Sequence, residues 1–396
     1  MKKYVTSSIL LILLLAFTLP ITSLATESET TTKEDDDLNL ATDATSAVLM
    51  ERDTGTILFN KNSHERLPPA SMTKLMTLLL VMEAIDKDQL ALDEMIRISE
   101  NASSMGGSQL FLEAGEEMTV EELLKGVAIA SGNDASVALA ERVSGTEDTF
   151  VKHMNDKADK LGLKDTHFEN TTGLPAKNHY SSAHDLAMIS KALLTYESIT
   201  DYTSIYEDYL REGQDNEFWL VNTNKLVKSY DGVDGLKTGF TNEAKYGLTA
   251  TAQKNEMRVI SVVMGADSPK KRNSYTADML DYAFNQFKTK NIFAKGDHIT
   301  SLKLLKAEHP TIKVVTSNPV SLLHQTGETT EDISTDVSME EDIQAPLDKG
   351  EQVGTLIVKK GGDIVSKTPL IVEEAVHKAS FFTLWKRNIK QIVKND

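Results

Sequence analysis

The segment Pro69-Ala70-Ser71-Met72-Thr73-Lys74-Leu75-Met76 places a serine and a lysine three residues apart. On a helix such residues project from one face, so the Ser71 hydroxyl and the Lys74 amine come within hydrogen-bond reach. Pro68 and Pro69 suit the start of a helix, and the apolar run after Lys74 predicts that this helix is buried on nearly all sides. A serine needs an adjacent base to become a good nucleophile, and burial lowers the pKa of a lysine toward that role. The first turn would also offer free backbone N–H groups to a developing oxyanion.

The N-terminal residues 1–25 have the pattern of a secretory signal peptide. Lys2 and Lys3 precede an apolar core over residues 9–17, and the small residues of Ser23-Leu24-Ala25 suit cleavage before Thr26. An uncleaved membrane anchor is the weaker interpretation, because the apolar run is shorter than a membrane span. We therefore expect export to the cell envelope, on the outer face of a bacterial cytoplasmic membrane.

The composition excludes several classes of function. The chain of 396 residues is long enough for two domains and contains no cysteine, which excludes disulfides, cysteine nucleophiles and zinc–thiolate sites. The net charge of −17, without a compensating basic stripe, argues against nucleic acid as a partner. The acidic runs at residues 34–37 and 340–342 are interpreted as solvated.

Periodicity predicts an α+β domain over residues 41–288, after a polar leader at 26–40 that we expect to be disordered. Residues 46–51 and 56–60 indicate a β-hairpin, whereas residues 75–194 are mostly helical in pattern and include a capping box at Thr119 and Glu122. Two apolar runs at 247–252 and 258–264 indicate antiparallel strands, and a helix is expected from Ser274 to Phe287. The pattern predicts a helical block packed on an antiparallel sheet whose strands come from both ends of the region.

The composition changes after about residue 288. Short β-like runs between polar, glycine-containing turns predict a small all-β domain over residues 289–378, with residues 327–341 as a flexible loop. Within the tail at 379–396, apolar residues recur at helical spacing over 380–394 and basic residues flank them. Such a helix is typical of a membrane interface, where anionic headgroups attract the basic cluster. A terminal helix docked on its own protein is the alternative.

Two further short motifs follow the serine and lysine in the chain: Ser131-Gly132-Asn133 and Lys237-Thr238-Gly239. Each alone occurs by chance, but the ordered set Ser-x-x-Lys, Ser-x-Asn, Lys-Thr-Gly is the signature of penicillin-recognising serine enzymes. With Asn170-Thr-Thr-Gly-Leu-Pro and the later all-β domain, the chain resembles the low-molecular-mass penicillin-binding proteins of the serine D-alanyl-D-alanine carboxypeptidase type. The resemblance covers essentially the whole mature chain and implies a β-lactamase/DD-peptidase-like domain.

The resemblance implies an enzyme that removes the terminal D-Ala from peptidoglycan stem peptides, in cell wall synthesis and remodelling, through an acyl-enzyme. Peptides ending in D-Ala-D-Ala would be substrates, β-lactams would acylate the enzyme covalently, and no metal or cofactor is implied. Ser71 would be the nucleophile, Lys74 the general base and Ser131 a proton relay, while Asn133 would orient Lys74 and the substrate. Lys237 and Thr238 would hold the substrate carboxylate, Gly239 would allow close backbone approach, and the N–H groups of Ser71 and Phe240 would form the oxyanion hole.

Several polar residues and several functions compete with this interpretation. His179 and His184 could act as bases, but capping or surface roles fit them better, and Asp134 is expected to cap the next helix. Related enzymes often carry an arginine shortly before Lys-Thr-Gly, where this chain reads Asn222-Thr223-Asn224. A serine β-lactamase shares the three motifs, a DD-endopeptidase uses the same site, and a non-catalytic wall-binding protein would have no need for an intact one.

Overall fold

The computed structural model describes residues 38–394, with side chains to residue 387. The predicted signal peptide and residues 26–37 of the predicted leader lie outside the described residues. The last residues of that leader are described, and Leu38 and Leu40 pack against a hydrophobic core.

The first domain is built on a five-stranded antiparallel sheet with the strand order β2-β1-β9-β8-β7. Its N-terminal hairpin lies beside strands that come more than 190 residues later, so the prediction of a sheet assembled from both ends of the region is confirmed. The strands of the first domain are β1 (Ser46–Glu51), β2 (Ile57–Lys61), β3 (Met95–Arg97), β4 (Glu117–Thr119), β5 (Glu207–Leu210), β6 (Phe218–Val221), β7 (Val233–Thr241), β8 (Lys245–Lys254) and β9 (Met257–Ala266).

Helices cover both faces of this sheet. They are α1 (Lys74–Asp86), α2 (Glu100–Ser103), α3 (Val120–Lys125), α4 (Asn133–Ser144), α5 (Glu147–Lys160), α6 (Ala183–Leu193), α7 (Ile199–Thr203), α8 (Leu226–Ser229) and α9 (Pro269–Gln286). The capping box at Thr119 and Glu122 is present as predicted. The last of these helices begins five residues earlier than predicted, because the Ser268 side chain caps it and Pro269 occupies its first turn.

The alternation of side chains along the strands divides the first domain into two cores. On β9, Ile260, Val262 and Met264 face the large core under the helical block. Val259 and Val263 face the opposite core, which α9 covers. Because both faces are buried, β9 reads as a continuous apolar run rather than as an alternating strand.

The Ser71 segment differs from the predicted single helix. Residues Ala70–Thr73 form a 3₁₀ turn, and the α-helix begins at Lys74. Ala70 has a φ of 48°, in the left-handed region, so regular helical backbone starts only after it. The nucleophile candidate therefore lies on a tight turn at the head of α1 rather than within the helix.

The second domain is all-β, with its own core of aliphatic side chains such as Val314, Leu356 and Leu370. Its strands form a pair, β10-β13, and a five-stranded antiparallel sheet with the order β11-β12-β16-β15-β14. Their bounds are β10 (Phe287–Phe293), β11 (His298–Lys303), β12 (Thr311–Thr316), β13 (Val320–Gln325), β14 (Ile333–Met339), β15 (Gln352–Lys360) and β16 (Asp363–Val372).

The prediction of a flexible loop over residues 327–341 is wrong for residues 333–339, which form strand β14. Strand β14 pairs with β15 in continuous register from Ile333 opposite Lys360 to Met339 opposite Gly354. It is the outer strand of the sheet and its side chains are largely exposed, so it lacks the apolar alternation that would have revealed it.

The chain ends in helix α10 (Phe381–Lys394), at the position expected from its periodicity. The side chain of Arg387, in the middle of this helix, donates to the carbonyl oxygens of Leu305 at 3.3 Å and Ala307 at 2.8 Å, which ties the helix to the all-β domain. Among the helices that the structure describes, none combines the length and apolar character needed to cross a bilayer.

Candidate active site

The Lys74 amine lies at the centre of a buried polar cluster. Its Nζ is 3.3 Å from Ser71 Oγ, 2.6 Å from Asn133 Oδ1 and 2.8 Å from the carbonyl oxygen of Thr172. The lysine side chain is fully buried. The first two sequence motifs, which are about sixty residues apart in the chain, are therefore joined by this one amine.

Burial holds the pKa of Lys74 well below its ordinary value, and the nearby charge of Lys237 lowers it further, whereas Asp134 opposes the shift. A buried ammonium loses its hydration, so the neutral amine is favoured. A neutral amine can accept the proton of a serine hydroxyl, which an ordinary surface lysine cannot do at neutral pH.

The Ser131-Gly132-Asn133 motif lies where a π-helical turn, Gly126–Ala130, meets α4. Ser131 has a φ of 67°, and this left-handed conformation reverses the chain so that Asn133 starts the next helix. Asn133 also donates through Nδ2 to the carbonyl oxygen of Gly106 at 2.6 Å, which fixes its amide with Oδ1 toward Lys74. Ser131 Oγ is buried and has no hydrogen-bond partner among the described residues.

The Lys237-Thr238-Gly239 motif lies on β7, the last strand of the main sheet, and among residues 38–394 no further strand pairs with its outer edge. A Cβ on Gly239 would lie 2.7 Å from the carbonyl oxygen of Pro69, so the strand runs directly beside the Ser71 turn. Thr238 donates through Oγ1 to Thr223 Oγ1 at 2.8 Å. An extended peptide could pair with this edge while its carbonyl reaches Ser71.

Lys237 is buried, and its Nζ donates to the carbonyl oxygen of Thr238 at 3.2 Å. Burial, with a contribution from the charge of Arg272, lowers the pKa of Lys237 to about 7. A carboxylate bound beside this amine would restore its preference for the charged form. Phe240, the next residue after the motif, is half exposed and stacks on Tyr246 with ring centroids 4.4 Å apart.

The loop at Asn170-Thr171-Thr172-Gly173 supports the site and received no role from the sequence. Asn170 Oδ1 accepts from the backbone N–H groups of Thr172 and Gly173, which orients the Thr172 carbonyl toward Lys74. Gly173 has a φ of 83°, and a Cβ there would lie 1.8 Å from the carbonyl oxygen of Ala70. The loop therefore packs backbone against backbone on the Ser71 turn.

Arg272 is a second residue that sequence reasoning missed. It comes from α9, after the Lys-Thr-Gly motif, whereas the arginine was sought before it. The side chain is buried, which lowers its pKa to about 10, and its Nε and Nη2 donate to Asn273 Oδ1. Its charge helps to lower the pKa of Lys237, so Arg272 adds positive potential near the predicted carboxylate site.

The expectation of a capping or surface role is wrong for His179, which is buried and bonds through Nε2 to Thr73 Oγ1 at 2.7 Å. His184 is at the start of α6, where its Nδ1 is 3.1 Å from Asp185 Oδ1. The prediction that Asp134 caps α4 is wrong, because Gly132 occupies the cap position. The Asp134 carboxylate instead accepts from the backbone N–H groups of Leu110 at 2.8 Å and Leu112 at 3.2 Å, which anchors the loop before the active site. No cluster of three or more metal-ligating side chains occurs within residues 38–387.

Comparison with known proteins gives two family matches. Residues 29–268 match the D-alanyl-D-alanine carboxypeptidase family of peptidase S11, and residues 287–378 match the C-terminal domain of penicillin-binding protein 5. The chain is 55% identical over 350 residues to the D-alanyl-D-alanine carboxypeptidase DacF of Bacillus subtilis, covering 88% of this chain and 90% of that one.

Solved structures agree with these matches. The chain is similar to penicillin-binding protein 5 from Haemophilus influenzae with a TM-score of 0.65 and 31% identity, over 85% of this chain and 98% of that one. It is also similar to penicillin-binding protein D2 from Listeria monocytogenes, solved in its ampicillin-bound form. That comparison has a TM-score of 0.55 and 33% identity, over 61% of this chain and 98% of that one.

Proposed function

The chain belongs to the peptidase S11 family of D-alanyl-D-alanine carboxypeptidases, and from this premise we propose that Ser71 forms the acyl-enzyme with Lys74 as its base. The observation that carries the proposal is a buried amine of lowered pKa, 3.3 Å from the serine oxygen. A separation of this size is usual before substrate binding tightens the contact.

In the proposed acylation step, Ser71 Oγ attacks the carbonyl carbon between the two D-Ala residues while its proton passes to Lys74 Nζ. The negative charge that develops on the carbonyl oxygen is held by the backbone N–H groups of Ser71 and Phe240. The C–N bond then breaks, and the proton passes from Lys74 through the Ser131 hydroxyl to the departing amine of the terminal D-Ala. A water molecule, deprotonated by Lys74, hydrolyses the ester and restores Ser71.

We expect the substrate to bind at the edge of β7, close to the cationic side chains of Lys237 and Arg272. The terminal carboxylate of a stem peptide would be held by Lys237 and Thr238 through charge-assisted hydrogen bonds, with Arg272 adding positive potential. The backbone of the peptide would pair with the edge of β7 near Gly239, where the absence of a side chain leaves room for the Ser71 turn. A β-lactam carries a carboxylate and a strained carbonyl at similar positions, so it would acylate the same serine.

The proposal is tested by the intact mass of the protein after incubation with benzylpenicillin, with Ser71→Ala as the control. A stable adduct on the wild type alone, with release of D-Ala from a diacyl-Lys-D-Ala-D-Ala peptide, is the expected result. Rapid penicillin turnover with neither adduct nor D-Ala would instead indicate a β-lactamase. Cleavage of cross-linked muropeptide dimers, without D-Ala release from the linear peptide, would indicate an endopeptidase.

We further propose that the protein is exported and that α10 rests on an anionic membrane surface. Phe381 and Phe382 are about three-quarters exposed, and Trp385 is 58% exposed beside Lys386. An exposed aromatic face next to basic residues is typical of an interfacial helix. The tie between Arg387 and the all-β domain would then hold that domain close to the lipid.

Vesicle sedimentation tests this membrane contact. The matched pair is Trp385→Ser and Trp219→Ser, because Trp219 is 55% exposed on β6, in the first domain. We expect Trp385→Ser to weaken binding to phosphatidylglycerol vesicles while Trp219→Ser leaves it unchanged. Equal loss in both variants, or equal binding to neutral phosphatidylcholine vesicles, would contradict an electrostatic interfacial helix.

A further inference from the structure

We propose that His179 is a positioning residue for acylation, which holds the loop that carries the Thr172 carbonyl against the turn that carries Ser71. The inference rests on the proposed function of Ser71 and Lys74, but it concerns a residue outside the three motifs. His179 touches neither the nucleophile nor the base and acts through Thr73 and the backbone of Glu169.

The hydrogen bonds of the imidazole fix its tautomer. Its Nδ1 accepts from the backbone N–H of Glu169 at 3.1 Å, so the ring proton is on Nε2. Nε2 lies 2.7 Å from Thr73 Oγ1 and donates to it. Both ring nitrogens are therefore used, one toward the loop and one toward the 3₁₀ turn, and the ring is buried against the edge of Phe168.

The turn and the loop that His179 joins both help to define the position of Lys74, together with Asn133. Thr73 lies between Ser71 and Lys74 in the turn, and Glu169 directly precedes the loop whose Thr172 carbonyl accepts from Lys74 Nζ. If the loop moves away from the turn, the amine loses one acceptor and its distance to Ser71 is no longer fixed. A displacement of about 1 Å in such a constellation can slow a reaction about 100-fold.

The two hydrogen bonds of His179 to Thr73 and Glu169 require a neutral imidazole. A proton on Nδ1 would face the N–H of Glu169 and break that bond, since two donors would then oppose each other. Burial and the charge of His167 lower the pKa of His179 to about 4, so the ring stays neutral at the pH of catalysis. The surrounding titratable groups are His167 and Glu169 on the same segment, and Glu243 from the β7–β8 turn. The 3₁₀ turn presents the uncharged Thr73 hydroxyl to the ring.

A small cavity lies beside the ring of His179. It has a volume of about 40 Å³ and is lined by Pro69, Gly173, Thr241 and Glu243 as well as by His179. The residues that flank Ser71, the supporting loop and the end of β7 thus meet around the imidazole. A substitution of His179 therefore affects the Ser71 turn, the supporting loop and the end of β7 together.

The test compares His179→Phe, which keeps an aromatic ring but removes both hydrogen bonds, with His179→Gln, whose amide offers both an acceptor and a donor. The measured quantity is the second-order rate of acylation by benzylpenicillin between pH 5 and 10, together with the melting temperature. We expect His179→Phe to acylate about 10- to 100-fold more slowly, and His179→Gln to recover most of that loss. His184→Phe, on the neighbouring helix, serves as the control and should leave the rate unchanged.

The pH profile separates positioning from mere stability. In His179→Phe the site loosens and water reaches Lys74, so the pKa of the amine rises and the acidic limb of the acylation profile moves to higher pH. The double variant His179→Phe/Thr73→Val should be no slower than the slower single variant, since the two residues act in series. A lowered melting temperature with the wild-type rate and profile would overturn the proposal. If the wild type itself forms no adduct, the function proposed for Ser71 fails, and not this inference alone.

Discussion

Lys74 and Lys237 are both buried beside the Ser71 turn, and the charge of Lys237 is, after burial, the main cause of the lowered pKa of Lys74. The residue proposed to bind the substrate carboxylate therefore also prepares the proposed base. The two amines have opposite requirements, since Lys74 must be neutral to accept a proton and Lys237 must be charged to bind a carboxylate. This pairing predicts how activity depends on pH.

The value of kcat/KM for D-Ala release should be bell-shaped in pH. Its acidic limb reports Lys74 losing a proton, and its alkaline limb reports Lys237, whose pKa in the free enzyme is about 7. In Lys237→Gln the like charge is gone, so the pKa of Lys74 rises and the acidic limb moves to higher pH. The loss of a charge-assisted contact should also lower kcat/KM at least about tenfold. An unchanged acidic limb would show that the two amines do not interact.

Gly173→Ala should strongly destabilise the protein and abolish acylation. Gly145→Ala should destabilise it much less and should leave acylation intact. Both glycines have a φ near 80°, so each substitution introduces about 1–2 kcal/mol of backbone strain. Only at Gly173 would the new Cβ collide with backbone, at 1.8 Å from the Ala70 carbonyl oxygen, whereas nothing lies within 4 Å at Gly145. Thermal denaturation and benzylpenicillin labelling measure the difference. Equal effects would mean that the loop does not support the Ser71 turn.

The site residues that the sequence predicted are those whose side chains form motifs of fixed spacing. Ser71 and Lys74 meet because they are three positions apart in the chain, and the order of the motifs indicated that Asn133 and Lys237 join them. The carbonyl of Thr172 carries no such signal, because every residue has one and only the Asn170 turn aims it at Lys74. Arg272 was missed because its partner in space, Lys237, is 35 residues away in the chain.

In the fold, too, the predicted elements are those that leave a pattern of side chains in the sequence. The buried strands β8 and β9 were predicted to within two residues of their bounds, since burial leaves an apolar pattern in the sequence. The sequence of β14 predicts a loop because an exposed outer strand is held by backbone hydrogen bonds, which do not depend on side-chain type.

Ser131→Gly should be more stable than Ser131→Ala by about 1 kcal/mol, with equal loss of activity. The φ of 67° at this position favours glycine over any residue with a Cβ. Both substitutions remove the hydroxyl proposed to relay the proton, which contributes about 10²- to 10⁴-fold to such steps. Urea denaturation and single-turnover acylation give the two quantities. If Ser131→Ala alone lost activity, the backbone and not the hydroxyl would be responsible.

Ser321→Ala should weaken the contact between the two domains. Ser321 Oγ on β13 donates to Asp53 Oδ2 at 2.6 Å, in the turn of the first hairpin, and the serine is buried. Loss of a buried hydrogen bond to a carboxylate costs about 2 kcal/mol. Calorimetry should show a lower melting temperature than in Ser338→Ala, a control on the exposed strand β14. Identical melting curves for the two variants would assign no role to this contact.

The stability of the wild type should fall between pH 6.5 and pH 4 because of His179. The pKa of this imidazole is about 4 in the folded protein, compared with an ordinary value of 6.5 in the unfolded chain. Between these values the unfolded state binds a proton that the folded state does not, so acid favours unfolding. The stabilisation is fully present above about pH 6.5 and is lost as the pH falls to 4, by up to about 3 kcal/mol.

His179→Phe has no titratable group at this position, so its urea denaturation midpoint should depend less on pH in this range than that of the wild type. His184→Phe should keep the wild-type dependence, because the imidazole of His179 is still present in it. Parallel curves for the wild type and His179→Phe would mean that His179 takes up a proton as readily in the folded state as in the unfolded chain, which would contradict the requirement for a neutral imidazole.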